Sequence, residues 1–306
     1  MKTFAALESC CSLSFDRSGP FFHLWTPECH PLIFANESQF KAGMSILAIA
    51  SKLVPQVRIL TFQLMTNHIH LTIAGFEDDI RNLFYLFRRY LTNYFKANGL
   101  VVDLLNFVPQ IRAIESIQDL RNVITYNNRN GYVVSPDYTP FTYPWGANAY
   151  YYNTIAKERF LESREKLHRR ERRELIRTHD SDGLEPIVTV NGFACPMSFC
   201  HIPLGESIFR CASHYFREVS RNMESQKEIA AEIGERIFYT DDELFSIVLT
   251  LSKQKYGQLK PSLLPVSAKK DLAILLHNDY NAGNRQIQRM IKLDISVVNA
   301  LFPERF

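Results

Sequence analysis

Residues 67–73, Asn-His-Ile-His-Leu-Thr-Ile, constrain the fold more strongly than any other stretch of this 306-residue chain. Successive side chains of a β-strand point to opposite faces of a sheet, so His68, His70 and the threonine share one face. The three aliphatic side chains between them point to the other face, where they predict a packed core. The run therefore predicts a strand in a sheet that has one polar and one apolar face.

Hydrophobic patterns around this strand predict a compact α+β unit. Helical spacing of apolar residues predicts helices over residues 37–53, 78–98 and 116–130, with Gly131 as the stop signal of the third. Runs rich in β-forming residues predict strands over residues 21–25, 57–65 and 68–74. The link between the last two strands is short, which indicates an antiparallel hairpin. This order of elements is typical of a ferredoxin-like antiparallel sheet with helices on one face.

A change of composition after Trp145 divides the chain into three predicted regions. We expect the α+β unit to occupy residues 1–153. A basic helix over residues 155–177 and a mixed connecting segment are expected to occupy residues 154–235. Residues 236–306 have helical periodicity throughout, which predicts a small helical domain. Its helices are predicted over residues 241–255, 267–279, 284–291 and 295–302.

The last two of these helices have the spacing of a helix-turn-helix, with Lys292-Leu293-Asp294 as the turn. Ser296 and Asn299 are the polar side chains of the candidate recognition helix, which carries no Lys or Arg. That composition weakens the case for direct base readout. A helical packing or dimerisation module, with a second copy of the chain as its partner in a homodimer, is therefore an equal alternative.

Composition excludes several classes of protein. Hydrophobic residues make up 46% of the chain and charged residues 22%, as in a folded protein rather than a disordered one. The sequence has no run of about 18 apolar residues, so we expect no membrane span. Six cysteines in a chain of this length do not form a disulfide scaffold, and Glu8 comes too early for a signal peptide. A reducing cytoplasm is the expected location.

The net charge of +3 does not by itself indicate a nucleic-acid partner, but the distribution of charge is more informative. Residues 157–177 contain nine Lys or Arg and five Glu. One interpretation is an arm that follows DNA phosphates through its arginines, Arg169, Arg170, Arg172 and Arg173. The other is a solvated helix with ion pairs between residues four apart.

Two pairs of residues are candidates for chemistry. His68 and His70 can bind one metal ion, because their imidazoles would lie about 7 Å apart on one face of a strand. Tyr126 and Asn130 lie four residues apart near the end of a predicted helix and therefore share a face. A tyrosine hydroxyl can act as a nucleophile, and a carboxamide oxygen can bind a hard cation. Half-buried histidines and a packing aromatic beside a polar residue are the plainer alternatives.

Taken together, these residues resemble the single-tyrosine HUH transposases, and among them the REP-associated tyrosine transposases. The resemblance covers about residues 20–150, half of the chain. It is carried by Phe22-His23-Leu24 in the first strand, Met65 to Leu71 as the HUH core, Phe87 to Tyr90 and Tyr94-Phe95 in a helix, Tyr126 to Asn130, and Tyr143-Pro144-Trp145.

The resemblance implies an enzyme that nicks single-stranded DNA beside a hairpin and transfers the strand. It implies that His68, His70 and Asn130 hold a divalent metal, Mg²⁺ or Mn²⁺. It further implies that Tyr126 attacks the DNA and keeps its 5′ end as a phosphotyrosine. His23 is then a candidate partner behind the metal ligands, with a packed strand histidine as the alternative.

Arg112 and Arg129 are candidates for contact with DNA phosphates or for lowering the pKa of the tyrosine. The chain departs from the family at two places: Gly131 stands where Pro is usual, and Gly146-Ala147 stands where Ser-Ser is common. Neither departure removes a catalytic atom. Both leave open a catalytically retired DNA-binding protein or transcriptional regulator. A relative of replication initiators or relaxases, which share the HUH core, is a third alternative.

Two further groups of residues carry side chains with reactive atoms. Cys195, Cys200, Cys211 and His214 are spaced loosely like zinc ligands but include no Cys-x-x-Cys pair, so buried free thiols are the preferred interpretation. The run Tyr150-Tyr151-Tyr152 is interpreted as a packing or base-stacking segment rather than as a source of rival nucleophiles.

Overall fold

The computed structural model describes residues 20–28, 32–133, 141–221, 229–230, 239 and 241–303. The chain forms two compact units, Met1–Met223 and Glu224–Phe306. Most of the segment that the sequence assigns to a connecting region therefore lies within the first unit. Among the described residues, no helix is both long enough and apolar enough to cross a membrane.

The first unit contains a four-stranded antiparallel sheet. Its strands are β1 (Phe21–Trp25), β2 (Arg58–Leu64), β3 (Ile69–Ala74) and β4 (Gln110–Ile114). Their order across the sheet is β2-β3-β1-β4, so β3 and β1 are central. The predicted α+β class with an antiparallel sheet is confirmed. His68 lies immediately before β3 rather than within it.

Helix α1 (Glu37–Leu53) covers the apolar face of this sheet. Asn36 caps the helix, with its side-chain oxygen accepting a backbone hydrogen bond of 3.1 Å from the first turn. Gly43 allows a close approach to the sheet, because a Cβ at this position would lie 3.2 Å from the Leu64 side chain. Helix α2 (Glu77–Ala97) packs against α1.

Helix α3 (Ile117–Val133) covers the opposite, polar face, which differs from the expectation of helices on one face only. The polar side chains of β2 and β3 on this face are buried and therefore need hydrogen-bond partners. The helix provides them: Asn127 donates to the Thr72 hydroxyl at 2.8 Å, and Asn128 accepts from the Thr61 hydroxyl. The helix also continues for three residues beyond Asn130, through the glycine that was predicted to end it.

The segment 141–221 adds short elements to the first unit. They are α4 (Thr154–Glu162), β5 (Lys166–Leu167), α5 (Arg169–Ile176), β6 (Ile187–Val190), β7 (Phe193–Ala194), α6 (Ile202–Ser207) and α7 (Ala212–Arg221). β5, β6 and β7 form a second, small antiparallel sheet. The prediction of one basic helix over residues 155–177 is wrong, because strand pairing between β5 and β6 interrupts it.

Residues 145–147 run alongside β2 and hydrogen-bond to it. The Leu64 N–H donates to the Trp145 carbonyl at 2.8 Å, and the Ala147 N–H donates to the Phe62 carbonyl at 3.1 Å. Gly146 lies between these two bonds, and a Cβ on it would sit 2.9 Å from the Phe62 carbonyl oxygen. The close approach of these two backbone segments therefore requires a glycine at this position.

This approach predicts that Gly146→Ala destabilises the first unit. A methyl group would be forced against a strand carbonyl that cannot move without breaking the sheet, and overpacking of this kind costs about 1–3 kcal/mol. The matched control is Gly183→Ala, since a Cβ at Gly183 meets no atom within 4 Å. The free energy of unfolding, measured with denaturant, should fall in the first variant only. Equal stabilities of the two variants would show that residues 145–147 can move to accommodate the methyl group.

The second unit is helical, with α8 (Asp241–Tyr256), α9 (Val266–Tyr280), α10 (Asn284–Ile291) and α11 (Ile295–Leu301). These bounds agree with the predicted helices to within one residue at each end. Its core contains Leu244, Val248, Leu272, Leu276, Ile287, Ile291, Leu293 and Val298. Lys292 adopts the left-handed conformation that ends α10, and Asp294 caps α11. The turn between the two helices is thus sharply defined.

Candidate active site

Two histidines at the start of the central strand β3 lie side by side on the polar face of the sheet. His70 is on β3, and His68 precedes that strand. Their ring centroids are 5.0 Å apart, and the rings stand nearly perpendicular at 88°. The His68 Nδ1 atom is 2.7 Å from the Asn67 side-chain oxygen, which fixes the orientation of this ring. The two imidazoles therefore converge, as the alternation of the strand predicts.

Tyr126 and Asn130 of α3 face His70. The Asn130 side-chain nitrogen is 3.5 Å from His70 Nε2. The Tyr126 ring centroid is 5.7 Å from that of His70, with the rings edge to face at 84°. Tyr126 is only 4% exposed. Two elements that are far apart in the sequence thus bring Tyr126, Asn130 and His70 together with His68.

His23 of β1 lies behind His70. Its Nε2 atom is 3.4 Å from His70 Nδ1, and the two rings are stacked with centroids 5.6 Å apart. Burial, with His70 and Arg112 nearby, holds the pKa of His23 well below its ordinary value, and a hydrogen bond with Asn127 partly offsets this. His23 is therefore a neutral imidazole that orients the ring of His70 from behind.

Burial also lowers the pKa of His70, from 6.5 to about 3. The ring is completely buried, and a charged imidazolium would lose its hydration there. At neutral pH this imidazole is uncharged. That is the protonation state in which a histidine nitrogen can bind a metal ion.

This pKa predicts that the metal-free protein loses stability in mild acid. Below pH 6.5 the unfolded chain binds a proton at this histidine, while the folded protein does not do so until about pH 3. The unfolded state thus binds more protons between these values, so each pH unit lost there costs about 1.4 kcal/mol per group. His70→Gln, measured by denaturant unfolding in chelator at pH 7, 5.5 and 4.5, should show a shallower decline. Parallel curves for the two proteins would contradict this assignment.

A hydrogen-bond network holds α3 on the sheet. The Asn128 carboxamide donates to the Tyr215 hydroxyl at 2.7 Å, and this hydroxyl donates to the Asn148 side chain. The Asn128 carbonyl accepts from Gln63 at 3.3 Å and from Asn148 at 3.1 Å. Buried polar networks of this kind fix one arrangement of their elements. The network therefore sets the rotation of α3 that turns Tyr126 toward the histidines.

Asn127, Asn128 and Tyr215 support the site but were not predicted from the sequence. The signal for the first two was available, because adjacent asparagines are poor helix formers in the middle of a helix. Such residues are retained where their side chains are needed for hydrogen bonds. Tyr215 gave no signal, since its partner lies 87 residues away in the chain.

Side-chain chemistry at His68, His70 and Asn130 fits a divalent cation. Imidazole nitrogens and a carboxamide oxygen are ordinary ligands, and rotating the Asn130 carboxamide would turn its oxygen toward His70. The described residues contain no group of three or more His, Cys, Asp or Glu side chains placed to hold a metal. Any metal at this site would therefore depend on the asparagine oxygen and on ligands from solvent or substrate.

No family model, no curated protein and no solved structure matches this chain.

The two arginines predicted near the site have different surroundings. Arg112 of β4 forms a bidentate ion pair with Asp119 of α3, with both N–O distances 2.9 Å. The pair ties the first turn of α3 to the sheet edge. Arg129 is buried on α3, with 4% of its surface exposed. Arg112 thus has a structural task in addition to any contact with DNA.

The four arginines of the basic stretch, for which the sequence left a DNA-contacting arm and a solvated helix open, have different surroundings. Arg172 is buried, and its guanidinium donates to four backbone carbonyls at 2.7–3.5 Å, so its charge is engaged within the fold. Arg173 pairs with Asp182. Arg170 pairs with Glu174 at 3.0 Å on the surface, as the solvated-helix interpretation expects. Arg169 is exposed.

In the second unit, both polar residues of the candidate recognition helix are exposed but engaged. The Ser296 backbone N–H donates to Asp294 at 2.8 Å, as part of the cap of α11. The Asn299 side-chain oxygen accepts from Asn284 at 3.0 Å. These contacts stabilise the turn and would have to be exchanged for any contact with a base.

The zinc-like cysteines are divided between core and surface. Cys195 and Cys200 are buried free thiols, as predicted, whereas Cys211 is exposed. The tyrosine run is tied to the core: Tyr151 donates to the Leu60 carbonyl at 2.9 Å, and Tyr152 donates to the Glu206 carbonyl at 2.6 Å. These hydroxyls support the packing interpretation of the run.

Proposed function

We propose that the first unit is a metal-dependent enzyme that nicks single-stranded DNA and transfers the cut strand, as in the HUH tyrosine transposases. One observation carries the proposal: His68, His70, Tyr126 and Asn130 converge on one face of the sheet although they come from two separate elements. These are the residue types that such a reaction needs as metal ligands and nucleophile. Hairpin-flanked single strands are the proposed substrates.

The topology of the sheet supports this assignment. The first four strands and two helices follow the order strand, helix, strand, strand, helix, strand. This chain order, with the strands arranged β2-β3-β1-β4, is that of the ferredoxin-like split βαβ motif. We therefore propose the ferredoxin-like HUH fold for this unit, with α3 as an additional helix that carries the nucleophile across the polar face.

His68, His70 and the Asn130 oxygen are the proposed ligands of Mg²⁺ or Mn²⁺. When bound, such an ion offsets the negative charge that develops on the scissile phosphate. His23 holds the His70 ring from behind and keeps its orientation fixed, as outer partners of metal-binding histidines commonly do.

Tyr126 is the proposed nucleophile. Its phenolic oxygen attacks the phosphorus and forms a new P–O bond, while the bond to the 3′-oxygen breaks. The released strand takes a proton and ends in a 3′-hydroxyl, and the 5′-phosphate stays on the tyrosine. A 3′-hydroxyl from another strand can reverse these steps and join the two DNAs. Because the phosphotyrosine conserves the bond, no external energy source is required.

The burial of Tyr126 favours a second candidate function. A side chain that is 4% exposed reaches a phosphate only if part of the covering structure opens. A catalytically retired DNA-binding protein or transcriptional regulator would have no need for such opening. The two candidates make different demands on the tyrosine, so a single assay separates them.

The assay incubates the full chain with labelled hairpin DNA that carries single-stranded flanks, together with Mg²⁺ or Mn²⁺. The proposed enzyme forms a covalent protein–DNA adduct that survives denaturing electrophoresis and is lost when a chelator is added first. Binding without an adduct would favour the retired protein. If neither binding nor adduct formation occurs, both candidates are wrong.

A further inference from the structure

A row of residues crosses the polar face of the sheet through His70. Strand register places Gln63 of β2 and Trp25 of β1 directly opposite His70, and places Gln110 of β4 opposite Trp25. Directly opposed residues of antiparallel strands share one face and lie close together. The indole of Trp25 therefore stands beside the candidate metal ligand, on the side away from β2.

Exposure increases along this row from β2 to β4. Gln63 and His70 are completely buried, Trp25 is half-buried and Gln110 is exposed. The cause is the placement of α3, which packs over β2 and β3. Among the residues that the structure describes, the part of the polar face formed by β1 and β4 is thus the open side of the site. A substrate that reaches His70 can approach along it.

Trp25 differs from the other tryptophan of the chain. Trp145 is 7% exposed and lies in an aromatic cluster, stacked on Phe40 with ring centroids 5.0 Å apart. The ring centroids of Trp25 and His23 are 5.1 Å apart, and Trp25 remains partly exposed to solvent. A partly exposed indole offers a large, rigid aromatic face, which suits stacking with a flat ligand.

We propose that Trp25 is a stacking platform for one nucleobase of the single-stranded DNA, next to the phosphate that the site cleaves. The inference rests on the proposed function and adds a binding residue to it. Stacking accepts any base, because every base offers a π-face. Trp25 therefore contributes affinity and alignment rather than sequence choice. Gln110, next to it on the exposed edge strand, supplies the nearest polar side chain on this face.

The test uses the fluorescence of Trp25 in the full chain. The chain has two tryptophans, so Trp145→Phe leaves Trp25 as the sole indole emitter while it keeps an aromatic ring in the core cluster. This variant is titrated with a hairpin oligonucleotide in chelator, so that no cleavage occurs. Saturable quenching is expected, at the same concentrations at which fluorescence anisotropy of a labelled oligonucleotide reports binding. Binding by anisotropy without quenching would overturn the proposal.

Affinity gives the second measurement. Trp25→Ala should weaken oligonucleotide binding by roughly 5- to 150-fold, the effect of one lost base stack, and Trp25→Phe should retain most of the affinity. Tyr85→Ala is the matched control, because Tyr85 is an exposed aromatic residue on α2, which packs against α1, the helix that covers the apolar face of the sheet. Equal losses of affinity in Trp25→Ala and Tyr85→Ala would show that Trp25 is not part of the binding site.

Oligonucleotides with a single abasic position identify the stacked base. One position near the cleavage site should weaken binding to the wild-type protein but not to Trp25→Ala, because the interaction is already absent there. Additive losses at every position would contradict stacking on Trp25.

Quenching and position-specific coupling without a covalent adduct would leave the platform in place and overturn the nuclease proposal. If Trp25→Ala forms the adduct as well as the wild type does, the nuclease proposal stands and the stacking platform is wrong. If no oligonucleotide binds the wild-type chain, both are wrong.

Discussion

Replacing Tyr126 with phenylalanine is expected to abolish the covalent protein–DNA adduct and to leave DNA binding intact. The substitution removes only the attacking oxygen and keeps the ring that packs against His70. Loss of one buried hydroxyl costs about 0.5–1.5 kcal/mol of stability, which a folded domain tolerates. The measurement pairs adduct formation on denaturing gels with anisotropy of the same labelled hairpin DNA, both at saturating Mn²⁺.

Other tyrosines provide the controls for this experiment. Tyr143 donates to the Leu64 carbonyl at 2.6 Å, and Tyr152 donates to the Glu206 carbonyl at 2.6 Å, so neither hydroxyl is directed at the histidines. Tyr152→Phe should therefore form the adduct at the wild-type level. Tyr132 and Tyr138, which follow Tyr126 closely in the chain, fall where the structure describes no side chain. An adduct in Tyr126→Phe would transfer the role of nucleophile to one of these tyrosines.

Sequence patterns predicted three of the four strands, and the placement of His68 and His70 on one face, because both depend on local periodicity. The alternation in residues 67–73 fixes which side chains share a face, whatever the rest of the chain does. The helices of the second unit were likewise predicted closely, since their apolar spacing and breaks are local signals. Tyr126 and Asn130 share a helix face for the same reason.

The position of α3 could not be derived in this way. Periodicity shows which face of a helix is apolar but not which side of a sheet it will cover. The choice depends on Asn127 and Asn128 meeting the buried hydroxyls of Thr72 and Thr61, which are more than fifty residues away. Sequence separation of this size hides such partners. It also hid the network through Tyr215.

The basic stretch shows how charge patterns mislead when tertiary contacts intervene. Nothing in the local sequence marks Lys166 and Leu167 as a strand, because their pairing partners are two residues of β6. Burial of Arg172 was equally hidden, since it is compensated by carbonyls that converge only in the folded chain. Counting charges along the chain therefore overestimated the number of arginines available to DNA.

Metal binding is expected to respond as strongly to substitution as adduct formation does. His70→Gln should reduce Mn²⁺ binding below detection in calorimetry, because it removes a nitrogen ligand while roughly preserving side-chain volume. His68→Gln should do the same. His201→Ala is the matched control, since His201 is an exposed histidine that precedes α6. All three proteins should have similar circular dichroism spectra.

A graded response at His23 distinguishes this site from adventitious binding to histidines. His23 contacts His70 but is not one of the proposed ligands, so its loss should misorient the His70 ring without removing a donor atom. Changes at such outer positions typically weaken metal affinity 10- to 100-fold. His23→Phe should therefore bind Mn²⁺ measurably but less tightly than the wild type, and it should form the adduct more slowly at limiting metal. If affinity is unchanged in His70→Gln, the metal is held elsewhere. Complete loss in His23→Phe would instead make His23 a direct ligand.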